Sequence, residues 1–222
     1  MNYFAHFIAD GMPDRPYYNL GLILPDLMGI FDRKWKVNKT NTEQITDDNV
    51  KDLLAGINRH EAIDKAFHQS TFFSTNKNAI QENLSLHDFN NPPYRLFFLS
   101  HIMLELIIDR ILVKEFPDKA RELYNQLEHI DKQKLKDLFR QTGSEYKPGF
   151  WNFFMKFRDY RFVLNYVNDD SLIEVLNKVS QRVGHPMFKV REQENLKKVI
   201  HESEKKLFPV YKDAFKEINA PI

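Results

Sequence analysis

The chain contains 222 residues, and its 32 basic and 31 acidic side chains leave a formal net charge of +1. This near-balance argues against a dedicated nucleic-acid-binding protein, because such proteins usually carry a marked basic excess. The sequence has no cysteine, which excludes disulfides, thiolate metal ligands and a cysteine nucleophile. Hydrophobic residues make up 42% of the chain, enough for a substantial buried core.

The sequence shows no targeting or membrane-spanning segment. The first ten residues lack the basic region of a secretory signal, and Pro25 and Asp26 interrupt the apolar stretch 20–30. A membrane helix needs about 20 consecutive apolar residues. We therefore expect a cytoplasmic protein that does not enter the membrane.

The hydrophobic pattern has helical spacing along most of the chain, and no strand alternation stands out. Helix-capping residues, prolines and glycines divide it into predicted helices over 49–69, 94–116, 117–129, 132–141, 148–166, 169–180 and 192–218. The helix 94–116 is apolar on every side, which is typical of the middle of a bundle. A polar loop is predicted over 33–46. The expected fold is a single all-α, bundle-like domain over 1–222.

The predicted helix 49–69 carries a polar stripe of His60, Asp64 and His68, spaced four residues apart. At about 100° per residue, these side chains span an arc of about 80°. Leu53 and Ile57 project within the same arc. The stripe is therefore expected on the apolar, core-facing side of the helix.

The predicted helix 94–116 repeats this spacing with His101, Glu105 and Asp109. Because this helix has no polar face, these side chains are also expected to point into the protein. Burying carboxylates and histidines is costly unless they are paired or bind a metal. Imidazole and carboxylate are ligands of Mn, Fe and Zn. The two stripes together predict a metal or acid–base site, and the alternative is a structural network of buried ion pairs.

Residues 56–64 read Gly-Ile-Asn-Arg-His-Glu-Ala-Ile-Asp. This segment is similar to the Gly-Ile-x-x-His-x-x-Ile-Asp signature of the acyl carrier protein phosphodiesterases. Residues 2–6, Asn-Tyr-Phe-Ala-His, and residues 21–26, Gly-Leu-Ile-Leu-Pro-Asp, resemble two further motifs of that family, and the Leu-Asn and Ser-x-Arg of 176–182 resemble a fourth. The resemblance is scattered over 1–184 and does not include the predicted C-terminal helical extension, 189–222.

The resemblance implies an all-helical fold related to the HD-type metal-dependent phosphohydrolases. It implies hydrolysis of the phosphodiester that joins 4′-phosphopantetheine to a serine of holo acyl carrier protein, a step in fatty acid metabolism. The expected metal is Mn²⁺, with Fe or Zn as alternatives. On the matched positions, the resemblance assigns site roles to His6, Asp26, His60 and Asp64.

The chain also departs from the family pattern on both helices. Ser100 and His101 stand where the family has an Asp-His pair, and His68 lies near the position of a Thr-Asp pair. These departures are compatible with a metal site but weaken the prediction of acyl carrier protein as the substrate.

From these residues we predict a divalent-metal hydrolase. The predicted metal ligands are Asp26, His60, Asp64 and His101. The predicted catalytic groups are Asp64 or Glu105 as the general base and His68 as the proton donor to the leaving group. The predicted substrate contacts are His6, Arg158, Arg161 and Arg182.

Two other functions stay open at this point. The first is an HD-like phosphohydrolase of a nucleotide or another small phosphoester. The second is a non-enzymatic helical protein, in which the polar stripes form a buried network and an aromatic surface binds a partner. Acyl carrier protein is the expected partner of the enzyme, and no oligomeric state is predicted.

Overall fold

The computed structural model describes residues 1–39, 45–89 and 96–220. It is 75% helical, and the described residues contain no β-strand, which confirms the predicted all-α class. The α-helices are α1 (Tyr3–Asp10), α2 (Pro16–Phe31), α3 (Asp48–Gln69), α4 (Thr71–Ser85), α5 (Leu96–Glu115), α6 (Pro117–Leu127), α7 (Lys132–Gln141), α8 (Phe150–Asp159), α9 (Asp169–Arg182), α10 (Val190–Leu207) and α11 (Tyr211–Glu217), with a 3₁₀ helix at Phe162–Val167. None of the helices described in these ranges has the length and hydropathy needed to cross a membrane.

Two predicted helices are each divided in the structure. The predicted helix 148–166 is α8 followed by the 3₁₀ helix, and between them Arg161 has a positive φ of 44° that no α-helix accommodates. The predicted helix 192–218 is α10 and α11, with Pro209 in the gap. Proline cannot donate a backbone hydrogen bond and clashes with the preceding turn, so it separates the two.

No helix was predicted over α1, α2 or α4. Polar residues fill most of the length of α4, so the sequence pattern did not indicate it. Its N-terminus is held by two caps that come from different parts of the chain. The Ser70 hydroxyl oxygen accepts from the Phe73 amide at 3.0 Å, and the Glu217 carboxylate accepts from the Thr71 amide at 2.8 Å. The second cap is a tertiary contact, and this kind of stabilisation is not visible in local periodicity.

The helices assemble into two compact units, each of which packs mainly within itself. The His60 unit comprises Asn2–Lys65 and Pro117–Val163, and the His101 unit comprises Met1, Ala66–Phe116 and Leu164–Ile222. The long helix α3 contributes to both, since its last four residues belong to the His101 unit. The sequence predicted one domain over 1–222, and this stays a prediction.

The His60 unit is built on close contact between the backbones of α2 and α3. A Cβ atom on Gly21 would lie 2.3 Å from the Leu53 carbonyl oxygen, and one on Gly56 would lie 2.2 Å from the Tyr18 carbonyl oxygen. Only glycine fits at either position. This contact places the next turn of α3, which carries His60, directly against the middle of α2.

The His101 unit has α5 at its centre, packed against α4, α9 and α10. Most of α5 is buried, as its all-round apolar sequence predicts. Arg110 is 5% exposed and donates from Nη1 to Asp169 at 2.6 Å, while its Nε atom lies 2.9 Å from Glu204. These contacts tie α5 to the first turn of α9 and to α10.

Candidate metal centres

Three helices of the His60 unit bring together His6, Asp26 and His60. One potential ligand atom from each residue lies within 4.8 Å of those of the other two. His6 is fully buried and His60 is 5% exposed, and their rings stack with centroids 3.9 Å apart. We refer to these three residues as the His60 group.

A backbone contact fixes the proton position on His60. Its Nδ1 atom lies 2.8 Å from the Leu22 carbonyl oxygen, which can only accept, so Nδ1 carries the hydrogen. In a neutral imidazole the other nitrogen, Nε2, then presents its lone pair, which is the usual arrangement of a metal-binding histidine. Nε2 lies 3.8 Å from Asp26 Oδ1, within the roughly 4.2 Å that can separate two ligands of one cation.

The surroundings favour the neutral form of His60. Burial lowers the pKa of this imidazole, while the hydrogen bond to Leu22 and the nearby charge of Asp64 partly oppose the shift. The net pKa lies below the ordinary value. At neutral pH the side chain is therefore able to offer a lone pair to a cation.

Next to this group lies a cleft with a volume of about 300 Å³. His60, Asp64 and the indole of Trp35 line it, together with three basic side chains, Arg33, Lys36 and Lys65. Trp35 forms part of the cleft wall and is held in place by two contacts. Its Nε1 donates to the Glu145 carbonyl at 2.7 Å, and its ring stacks on that of Phe139. The cleft thus places His60 of the metal-type set beside three basic side chains, and the carboxylates of Glu61 and Asp64 also line it.

A second group, in the His101 unit, consists of His68, His101 and Glu105. The Nε2 atoms of the two histidines lie 3.0 Å apart, and each lies 3.0 Å from Glu105 Oε1. His68 comes from the end of α3, and the other two lie one turn apart on α5. The Phe73 ring packs nearly perpendicular to both imidazoles, with centroid distances of 4.8 and 5.0 Å. We call this set the His68–His101–Glu105 triad.

The carboxyl group of the triad is held ionised. Burial by itself raises the pKa of Glu105. The Met1 amine and the hydrogen bonds from His101 and His68 lower the pKa by more than burial raises it. The net pKa lies well below the ordinary value. The Met1 nitrogen is 3.2 Å from the same oxygen, Oε1, that faces both histidines.

The predicted metal ligands therefore fall into different surroundings. Asp26 and His60 lie in one group together with His6, which was predicted to contact substrate. His101 lies in the triad with Glu105 and His68, the predicted base and acid. Asp64 lines the cleft beside His60. Asp109 is buried one turn beyond Glu105 and is a member of neither group.

The three arginines predicted to contact substrate do not line the cleft of the His60 unit. Arg158 pairs with the adjacent Asp159 at 2.7 Å, and Arg161 lies 3.2 Å from Glu128. Arg182 lies in the last turn of α9, in the His101 unit. Their proposed contacts with substrate stay predictions.

Sequence reasoning did not single out the basic residues that do line the cleft. Arg33 and Lys36 lie in the region predicted as a loop, and Lys65 directly follows Asp64 on α3. The one available signal was the position of Lys65, next to the strongest motif. Arg33 and Lys36 line the cleft because of the path that the chain takes after α2, which the sequence does not indicate.

Comparisons of the chain with protein-family models, curated proteins and solved structures gave no match.

Proposed function

We propose that this protein is a metal-dependent hydrolase of a phosphate ester, with its active site at the His60 group. The observation that carries this proposal is that His60 belongs to a His-Asp-His set with two buried histidines and also lines a cleft with three basic side chains. The combination supplies ligands for a cation and a binding surface for an anion at the same place.

The donor set fits a divalent transition metal. His6, Asp26 and His60 offer two imidazoles and a carboxylate, and the Leu22 carbonyl orients His60 as the outer contacts of metal ligands usually do. When bound, a divalent cation supplies Lewis acidity and makes hydroxide available near neutral pH. Mn²⁺ is the metal that the resemblance implies, and Fe²⁺ or Zn²⁺ suits the same ligands.

The remaining groups of the cleft have complementary tasks. Arg33, Lys36 and Lys65 hold the phosphate oxygens and offset the charge that develops during displacement. Asp64 lies on the same helical face as His60 and borders the cleft, so it is the group placed to accept a proton from the attacking water.

We propose holo acyl carrier protein as the substrate and an HD-like arrangement as the fold. The support is the Gly-Ile-x-x-His-x-x-Ile-Asp signature, whose histidine and final aspartate are His60 and Asp64 at the cleft. A cleft of about 300 Å³ suits the phosphodiester and the adjoining part of a pantetheine arm.

The test is to incubate the protein with Mn²⁺ and holo carrier protein and to follow the mass of the carrier. We expect loss of 4′-phosphopantetheine and an at least 100-fold slower rate, to order of magnitude, for Asp64→Asn. Asp48→Asn, the same change on an exposed turn of α3, should retain the wild-type rate. Lys65→Ala should raise KM, with Lys51→Ala as its control on the same helix.

Two results would change this conclusion. Hydrolysis of a small aryl phosphodiester or a nucleotide, without any reaction on holo carrier protein, would replace the proposed substrate with a small phosphoester. If the metal-loaded protein hydrolyses neither class, the polar groups are structural and the enzymatic proposal is wrong.

A further inference from the structure

The His68–His101–Glu105 triad has a geometry that hydrogen bonding explains poorly. Its three facing atoms form a triangle with sides of 3.0 Å. A carboxylate accepts hydrogen bonds and offers no hydrogen, and each Nε2 atom carries at most one. At most two hydrogens are therefore available for three contacts. Each Nε2 atom lies on two sides of the triangle, and a hydrogen aimed along one of these sides points away from the other.

The Met1 amine does not resolve this conflict. Its nitrogen lies 3.2 Å from Glu105 Oε1 and adds a donor to the carboxylate. The contact between the two Nε2 atoms of His68 and His101 is left as it was. If both nitrogens are protonated, their hydrogens face each other, and if neither is, their lone pairs do. If only one is protonated, it can donate to the other nitrogen, but that second nitrogen then faces the Glu105 oxygen with no hydrogen between them.

A cation in front of the triangle satisfies all three atoms at once. Ligands about 2.1 Å from a shared cation lie about 3.0 Å apart when they subtend a right angle, and about 3.4 Å apart at the tetrahedral angle. The observed sides of 3.0 Å match the right angle. The three atoms thus resemble one face of an octahedron.

We infer that His68, His101 and Glu105 form a second divalent-metal site, a facial set of two histidines and one carboxylate. Three positions of the cation stay open for water or an anionic ligand. The site takes a divalent transition metal such as Fe²⁺, Mn²⁺ or Zn²⁺ in preference to Mg²⁺ or Ca²⁺, because two of its three ligands are imidazoles. This inference does not rest on the proposed function of the His60 group.

The surrounding structure holds the ligands in place and leaves the two histidines partly exposed. Glu105 is 13% exposed and His101 lies one turn before it on the well-packed helix α5. The Phe73 ring packs nearly perpendicular to both imidazoles. The side chains of His68 and His101 are 28% and 35% exposed, so both are partly open to solvent.

The experiment measures how many cations the full chain binds. Metal-free protein is titrated with Mn²⁺ by calorimetry, and bound metal is then counted by elemental analysis. We expect two molar equivalents for the wild type and one for each of Glu105→Gln and His101→Ala. His60→Ala should also lose one equivalent, and His129→Ala, which removes an exposed histidine, should lose none.

Co²⁺ provides a second readout of the triad. In His60→Ala, where only the triad binds, we expect the weak visible absorption of six-coordinate Co²⁺. Strong absorption typical of tetrahedral Co²⁺ would contradict the octahedral assignment. Circular dichroism of each variant identifies any that fail to fold, and the wild-type stoichiometry tests the inference without them.

The outcomes separate the two metal proposals. A single equivalent that disappears in His60→Ala and persists in Glu105→Gln overturns the second site and leaves the proposed function intact. A single equivalent with the opposite dependence supports the triad and removes the metal from the His60 group. If the wild type binds no Mn²⁺, Fe²⁺ or Co²⁺, the triad is a hydrogen-bonded network only.

Discussion

The His60 group and the His68–His101–Glu105 triad use the same residue types in different ways. In both, a histidine on a long helix is followed four residues later by a carboxylate. In the triad this carboxylate, Glu105, joins the histidine directly at 3.0 Å. In the His60 group the carboxylate is Asp26 of another helix, whereas Asp64 borders the cleft.

This difference shows what an i, i+4 spacing establishes. It places two side chains on one helical face, but the packing of other helices decides which atoms approach them. His60 donates to Leu22, 38 residues away, and this contact depends on the two glycines that bring α2 and α3 together. The triad needs a single long-range partner, His68.

The largest expected effect comes from disturbing that glycine contact. Gly56→Ala places a methyl group 2.2 Å from the Tyr18 carbonyl oxygen and forces α2 and α3 apart. We expect a loss of about 3 kcal/mol in the free energy of unfolding and weaker Mn²⁺ binding at the His60 group. Denaturant unfolding and metal titration measure both effects.

The matched control for this change is Gly29→Ala, also on α2. A Cβ atom there meets nothing within 4 Å, so alanine should stabilise the helix slightly. Equal destabilisation by the two variants would show that the close contact between α2 and α3 is not what makes Gly56→Ala destabilising. Retention of Mn²⁺ by the triad in Gly56→Ala would sharpen the distinction between the two groups.

A smaller loss is expected from removing the central cation of the His101 unit. Arg110→Leu leaves Asp169 and Glu204 without the buried guanidinium that faces them. Because both carboxylates are partly exposed, we expect a loss of about 2 kcal/mol, less than for a fully buried pair. Arg110→Lys, which keeps the charge but not both contacts, should lose less than half as much in the same unfolding assay.

A still smaller effect is expected at the start of α3, the helix that carries residues of both groups. The Asp47 Oδ1 atom accepts from the amides of Asn49 and Val50 at 3.0 and 3.2 Å. Asp47→Ala should therefore cost about 1 kcal/mol of stability. Asp47→Asn keeps the acceptor and loses only the charge that faces Lys134. A larger loss for asparagine than for alanine would contradict the capping role.

The smallest effect concerns acid stability. Burial alone raises the pKa of Asp169, but hydrogen bonds from Arg110 and His201 outweigh it and the net pKa is lowered. A carboxyl group with a lowered pKa in the folded state stabilises the protein above its unfolded pKa of about 3.9. This contribution is lost as the pH falls through the folded pKa.

The stability difference between wild type and Asp169→Asn should accordingly shrink as the pH is lowered from about 5 to about 2. Thermal unfolding across this range measures it. In an Arg110→Leu background the change in the difference with pH should be much weaker. A difference that stays constant with pH in the wild-type background would show that the carboxylate charge of Asp169 is not stabilising.

The sequence predicted α3, α5 to α9 and the span of α10 and α11, but it did not predict α1, α2 or α4. The helix α7 begins and ends at the predicted residues, because its apolar positions and the Asp131 cap are local signals. The helix α4 escaped prediction because Glu217, far along the chain, caps its N-terminus. The division between α10 and α11 follows from Pro209, which lies inside the single helix predicted over 192–218.

For the site, sequence spacing alone determined that His60 and Asp64 share one helical face and that His101 and Glu105 share another, since helical geometry requires it. The tertiary structure decided that His6 and Asp26 approach His60, that His68 approaches His101 and Glu105, and that basic residues after α2 line the cleft. These contacts depend on how helices distant in the chain pack, and local periodicity carries no information about that packing.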